Sequence, residues 1–240
     1  MSTIVLVHGA WHGGWCWRKL VPLLEDKGHE VVALDLPGHG SDRTPASDVT
    51  LAAYADRVAR ALDEKAEPVV LVGHSMGGIV ISEAAERRPE KIRMLVYLSG
   101  FLLPDGETLL ATSQADEEAL ISPNLDVDEE RGIITVREDK ARDIFYGDCS
   151  EEDAEWARER LIPEPLAPFV TPVGVSEQNF GRVRRAYVEC LRDRAIGPAT
   201  QKRMYEALPC EEVVSMETDH SSFLSAPEEL AGILDRLAKG

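Results

Sequence analysis

Apolar residues recur along the chain in two rhythms. Short segments rich in Val, Ile, Leu and Tyr lie at 3–7, 29–34, 69–72, 93–99, 186–190 and 212–216. Segments of that length, bounded by Gly, Pro, Asp or His, read as strands of a sheet covered on both faces. Between them, apolar positions fall three and four apart. Leu20, Val21, Leu23 and Leu24 mark a helix over 18–27, where Pro22 is tolerable only near the first turn and Gly28 suits the C′ position. Leu51, Tyr54, Val58 and Leu62 share one face of a helix over 51–62 that Thr50 caps. An apolar run over 79–85 starts a helix that stops near Pro89, and two more helices are expected over 199–207 and 227–238. Six strands alternating with helices predict an α/β fold, a doubly wound and mostly parallel six-stranded sheet with right-handed crossovers.

The alternation breaks at Gly100. The stretch 101–185 carries several prolines, an acidic run at 126–130, a β-like segment at 132–136 and helical pieces at 139–145 and 151–160. A structureless loop of that length inside one domain would be out of place. The expected organisation is therefore a core of 1–100 and 186–240 with an inserted cap over 101–185. The acidic runs read as solvated faces.

Composition narrows the function classes. The chain has 240 residues, 26 Lys and Arg against 43 Asp and Glu, and a net charge of −17. That balance argues against nucleic acid and anionic membrane surfaces as partners. The four cysteines, Cys16, Cys149, Cys190 and Cys210, form neither a C-x-x-C pair nor a zinc-spaced cluster, so free thiols and no metal are expected. The first strand follows Met1 almost at once, which leaves no room for a secretory leader, and no apolar run approaches a membrane span. A cytoplasmic protein without a cofactor is the expectation.

Candidate chemistry centres on Gly73-His74-Ser75-Met76-Gly77. A G-x-S-x-G pentapeptide between a strand and a helix has the context of a nucleophile elbow, a strained turn that holds a serine hydroxyl clear of the sheet. Ser75 is the candidate nucleophile. A serine needs a base within reach, and in this arrangement the acid and then the histidine follow in the chain. His220, just past the last strand, is the only histidine after Ser75. The acid should follow the preceding strand, where Asp193 lies three residues beyond Cys190. Asp219 adjoins His220 in sequence and could hardly reach the ring, and Glu189 lies within the strand. The first strand runs into His8-Gly9-Ala10-Trp11-His12-Gly13-Gly14, a loop whose backbone N–H groups can face a ligand. Ala10 and Met76 are the candidate oxyanion donors. Gly9, Trp11 and His12 are candidate substrate contacts, with a bond to loop backbone as the competing reading for His12. Trp15 and Trp17 read as packing residues, and Asp35 and His39 as turn residues.

Val5 to Trp17, Leu34 to Gly40 and Gly73 to Gly78 together resemble the α/β-hydrolase superfamily, and more narrowly its branch of plant methylesterases, hydroxynitrile lyases and bacterial arylesterases. The stretches 187–196 and 219–221 resemble that branch's acid and histidine regions. The resemblance implies a serine esterase with Ser75, Asp193 and His220 as its triad, acting on small aryl or alkyl esters. Hydroxynitrile lyases place Thr after the first-strand histidine and Lys after the catalytic one; this chain has Gly9 and Ser221 there, which disfavours cyanide elimination. An Asp nucleophile, as in haloalkane dehalogenases, is absent at position 75. A lyase on the same scaffold and a ligand receptor that retains a triad are the alternatives. Phe101, Leu102, Phe145, Tyr146, Trp156, Phe169 and Phe180 are candidate pocket residues, of which Phe101, Phe145 and Trp156 are carried as substrate contacts. A small-molecule ester is the expected partner, and a homodimer is left open.

Overall fold

A computed structural model describes residues 1–240. Its strands are β1 (Thr3–Val7), β2 (Glu30–Leu34), β3 (Val69–His74), β4 (Ile92–Leu98), β5 (Leu125–Asp128), β6 (Ile133–Val136), β7 (Glu164–Pro165), β8 (Arg185–Cys190) and β9 (Glu212–Met216). Its helices are α1 (Leu20–Asp26), α2 (Leu51–Asp63), α3 (Gly77–Arg87), α4 (Leu109–Gln114), α5 (Glu138–Phe145), α6 (Glu151–Arg158), α7 (Ala167–Val170), α8 (Pro198–Ala207), α9 (Ser222–Ser225) and α10 (Pro227–Lys239).

The main sheet runs β2-β1-β3-β4-β8-β9, and every pairing in it is parallel. Central strands are apolar on both faces because helices cover both: β3 is buried at all six positions, whereas the edge strand β2 is buried only at Leu34. The chain winds from β1 out to β2 and returns to β3 on the other side of β1. The carboxyl ends of β1 and β3 therefore form a topological switch point, where α/β sheets bind ligands. Val7 pairs with Gly73, so the loop after β1 and the elbow after β3 leave the sheet side by side. Cys190 pairs with Met216 in the same way, which brings the loops carrying Asp193 and His220 together.

Some details differ from the expectation. The helix predicted over 18–27 is a 3₁₀ turn, Gly14–Lys19, followed by α1. Pro22 falls at the third position of α1, where its missing N–H has no intrahelical partner to lose. Gly28 has φ +85°, as a C′ glycine should, and the Thr50 hydroxyl accepts the Ala53 N–H at 3.0 Å. The segment between β4 and β8 holds more order than its sequence advertised: α4, α7 and an antiparallel sheet β5-β6-β7. Its acidic run is largely solvent-exposed, but Asp126, Val127 and Asp128 belong to β5, an edge strand whose charges discourage further pairing. Phe145 and Phe169 of this segment belong to the same connected apolar core as β1 and β3. No helix is long and apolar enough to cross a membrane.

Candidate active site

The elbow forms because four glycine-sized gaps surround Ser75. An added Cβ at Gly73 would sit 2.5 Å from Gly77 O, one at Gly77 2.7 Å from Val7 O, and one at Gly78 2.5 Å from Phe101 O. At Gly9 it would meet Ser75 Cβ at 2.8 Å. Backbone thus approaches backbone at Gly73, Gly77 and Gly78, and at Gly9 the loop presses on the Ser75 side chain, so α3 can begin directly beneath Ser75. Gly77→Ala must push β1 away from α3; a loss of more than about 3 kcal/mol is expected by denaturant unfolding, and an unchanged midpoint would contradict this steric account. Ser75 itself has φ +54°. The other non-glycine residues with positive φ are Trp11 (+62°) and Ser99 (+42°). All three border one cavity or its acid, and such strain gathers at functional sites.

Ala10 and Met76 both line the cavity beside Ser75. The N–H groups of Ala10 and Met76 donate to no protein acceptor, although both residues are buried. Buried backbone donors are nearly always paired. Beside Ser75, these two N–H groups are left free to donate to an acceptor that the protein does not supply. The Gly9–Ala10 peptide is oriented by its carbonyl, which accepts from His8 Nδ1 at 2.8 Å.

His220 Nδ1 donates to Asp193 Oδ2 at 2.7 Å. The same carboxylate is held by the Ala195 and Ile196 N–H groups at 2.7 and 2.9 Å and by Ser99 Oγ at 2.7 Å. With Nδ1–H committed, Nε2 carries the lone pair that a base needs. Nε2 and Ser75 Oγ have no protein hydrogen-bond partner and are not fully sealed off, and Ser75 lines the cavity. They are not hydrogen-bonded to each other; such bonds often tighten only when substrate binds. Asp219 is turned away from the ring, accepting from Asp148 N, Ser221 N and Ser225 Oγ at 3.0, 3.3 and 2.8 Å. Glu189 bonds Ser215 and Tyr205 instead. Arg192, a potential competitor for Asp193, pairs with Asp148 and Glu217.

The cavity above Ser75 is lined by Ala10, Trp11, Met76, Phe101, Leu109, Ser113, Ile121, Phe145, Phe169, Ala195 and Ile196, with no charged side chain. Its volume is about 20 Å³, close to room for a single water. Trp11, Phe101 and Phe145, candidate substrate contacts from the sequence, line this cavity. Gly9 does not line the cavity; it lets the loop press against Ser75. His12 lies behind it, Nδ1 donating to Ala10 O at 2.7 Å and Nε2 accepting from Tyr146 Oη at 2.7 Å. Burial drives the His12 pKa down to about 4, so the ring stays neutral. Trp156 is not brought to the cavity. It lies between the guanidinium groups of Arg18 and Arg160, 3.8 and 4.1 Å from its ring centre, and edge-on to Trp15. Cation–π contact, rather than ligand contact, explains its place. Phe180 packs under Arg185, and Leu102 faces a separate groove between α4 and α8.

Strand order, elbow, paired acid and histidine, and a capped apolar cavity converge on one architecture, and residues 4–233 match the model of the alpha/beta hydrolase family. The chain belongs to that family. Methylesterase 9 of Arabidopsis thaliana is 33% identical, the match covering 100% of this chain and 98% of that protein. A pyrethroid hydrolase of Sphingobium wenxiniae is 34% identical over 96% of this chain and 85% of its own. The crystal structure of a pyrethroid hydrolase from Sphingobium faniae JZ-2 superposes with a TM-score of 0.89, at 31% identity, over 100% of this chain and 98% of that one. Other relatives are longer: the chain spans 56–64% of three chloroplastic methylesterase-type proteins of Arabidopsis thaliana.

Three residues of this α/β-hydrolase's site escaped the sequence reading. Ser99 holds Asp193 from a strained position at the end of β4. Gln201 braces the same turn, its Nε2 donating to Cys190 O and Ile196 O at 3.1 and 2.8 Å. His74 donates from Nε2 to His220 O at 3.0 Å, and its ring lies 4.4 Å from that of His220. Burial pushes its pKa well down, so it braces the histidine loop without adding charge. Position within the pentapeptide was the available signal for His74; for Ser99 and Gln201 the sequence offers none.

Proposed function

We propose that this protein hydrolyses small carboxylic esters through an acyl-enzyme on Ser75. The observation that carries the reading is the pair of buried, unpartnered N–H groups of Ala10 and Met76 beside Ser75. Ser75 Oγ attacks the ester carbonyl carbon while His220 Nε2 takes its proton. Ala10 and Met76 hold the oxyanion as it forms, and Asp193 stabilises the imidazolium. Collapse of the intermediate expels the alcohol, which receives the proton from His220. A water, deprotonated by His220, then attacks the acyl group and releases the acid and free Ser75.

The apolar, uncharged lining favours neutral aryl or alkyl esters. The names of the methylesterase and pyrethroid hydrolase relatives support ester chemistry. Cyanide elimination is disfavoured: no lysine or arginine lines the cavity, and Ser221, after His220, is buried and uncharged. The segment 101–185 supplies Leu109, Ile121, Phe145 and Phe169 to the cavity and acts in this reading as a cap that must yield to admit substrate.

The Trp11 side chain sets the size limit. It is shared between the small cavity and an outer cleft of about 350 Å³ lined by Val136, Ala141, Leu161 and Ile162 together with the charged Glu138, Arg158 and Glu159. Trp11→Ala joins the two spaces. On a panel of acetate esters of graded alcohol size, the wild type should prefer small alcohols, and the variant should gain about tenfold in kcat/KM for bulky over methyl esters. An unchanged size ranking would refute the partition. Absence of turnover across the whole panel, with aryl, methyl and longer acyl esters included, would refute the hydrolase reading.

A further inference from the structure

A carboxylate fully removed from water must have its charge met by donors. Glu164, between Pro163 and Pro165 in β7, is completely buried. Its Oε2 accepts from the Trp11 N–H and from His39 Nε2, both at 2.8 Å, and its Oε1 accepts from Tyr54 Oη at 2.8 Å. The other ring nitrogen of His39 faces Pro37 O at 3.1 Å. Both nitrogens thus face acceptors, and although burial lowers the His39 pKa, the neighbouring Glu164 carboxylate carries the net shift upward. The three partners come from the loop after β1, the loop after β2, and α2, so one side chain ties the inserted segment to three parts of the core.

The bond to Trp11 bears on the oxyanion loop. The Ala10–Trp11 peptide is gripped at both ends: its carbonyl accepts from His12 Nδ1 and its N–H donates to Glu164. That grip holds Trp11 at φ +62°, a conformation costly for a side-chain-bearing residue. The preceding peptide, which carries the Ala10 N–H, is fixed by His8. Release of the Trp11 amide would free the first of these planes and leave the Ala10 amide held only through the Gly9 carbonyl.

We propose that Glu164 is a positioning residue for acyl transfer: by clamping the Trp11 amide it aims the Ala10 N–H at the forming oxyanion. The inference rests on the Ser75 acyl-enzyme reading above. It makes the inserted segment part of the rate-setting machinery as well as a cover over the cavity.

The test compares Glu164→Ala, Glu164→Asp and Glu164→Gln with the wild type, each confirmed folded by circular dichroism and thermal melting. Asp keeps the charge but withdraws it by one methylene. Gln keeps one acceptor oxygen for the Trp11 amide. Turnover of an aryl acetate is measured together with inhibition by an aryl trifluoromethyl ketone, whose adduct on a serine carries an oxyanion. Ala and Asp should lower kcat by about 10- to 100-fold with KM within about twofold, because small misplacements of a catalytic group are costly. Affinity for the ketone should fall in parallel, and Gln should restore most of both. Unchanged kcat in the Asp variant, unchanged ketone affinity despite lost turnover, or a Gln variant as impaired as Ala would overturn the proposal. Should the Ala variant not fold, Asp and Gln decide it. Ser75→Ala is run alongside: turnover surviving there rejects the acyl-enzyme reading itself, whereas an inactive Ser75→Ala with indifferent Glu164 variants rejects only this inference.

Discussion

Ser75→Ala, His220→Ala and the double variant should all lose aryl acetate turnover to one common floor, about 10⁴- to 10⁶-fold below wild type in kcat. The convergence is the informative part. A nucleophile and its base act as one unit, so once either is gone the other contributes nothing further. Residual rate above the uncatalysed reaction should persist, because the Ala10 and Met76 amides and the apolar cavity survive all three substitutions. Asp193→Asn should retain the fold yet lose about 10⁴-fold, since the amide favours the wrong imidazole tautomer. Steady-state kinetics on the four variants settle the matter. Losses that multiply in the double variant would mean that Ser75 and His220 serve separate steps.

Stability should fall steeply on the acid side of neutrality. His8 and His12 are fully buried, and burial lowers their pKa values to about 3 and about 4. In the unfolded chain an imidazole ionises near pH 6.5. Between those values the unfolded chain binds protons that the native state refuses, so stability declines as pH drops from about 6.5 toward 4. Together the two rings withdraw on the order of 5 kcal/mol by pH 4, a sizeable share of a typical domain's total. His74, also lowered by burial, acts in the same direction. His39 opposes them: burial lowers its pKa, but the Glu164 carboxylate more than offsets this, and the net shift is upward. Asp35, whose backbone and hydroxyl hydrogen bonds outweigh its burial, and Asp42, held at about 2 mainly by the Gly38 amide, lose their contributions only at lower pH. Urea unfolding at a series of pH values should show net proton uptake on unfolding at pH 5 and a maximum in stability near pH 7.5, with a renewed decline in alkali, where burial keeps the four cysteine thiols protonated while the unfolded chain ionises. A free energy of unfolding that holds constant from pH 7 to pH 4 would contradict the buried neutral histidines.

How much of this was legible in the chain depends on the range of the forces involved. The six strands and the elbow are written in local pattern: Val69-Val70-Leu71-Val72, short, mostly β-branched and followed by glycine, reads as a strand buried on both faces, and Gly73, Gly77 and Gly78 stand where backbone meets backbone. The meeting of Asp193 with His220 follows from parallel topology, because both residues lie a few positions past neighbouring strands. The inserted segment was less readable. β7 is two residues long, and β5 hides within an acidic run. Trp156 looks like a pocket aromatic until Arg18 and Arg160 stack against it, contacts that no local pattern announces. Glu164 sits between two prolines, in a stretch whose pattern assigns it to no element. Its burial is imposed by His39 and Tyr54, 125 and 110 residues away in sequence. Ser99 and Gln201 likewise acquire their meaning only once Asp193 is in place.

The central claim is a covalent acyl intermediate on Ser75. Its most direct measurement is rapid acid quench of the enzyme during turnover of an aryl acetate, followed by peptide mass spectrometry. The account predicts a single acetyl group on the peptide containing Ser75, formed with a burst of aryl alcohol and absent in Ser75→Ala. Turnover without any adduct at Ser75, or an acetyl group carried by another residue, would contradict it.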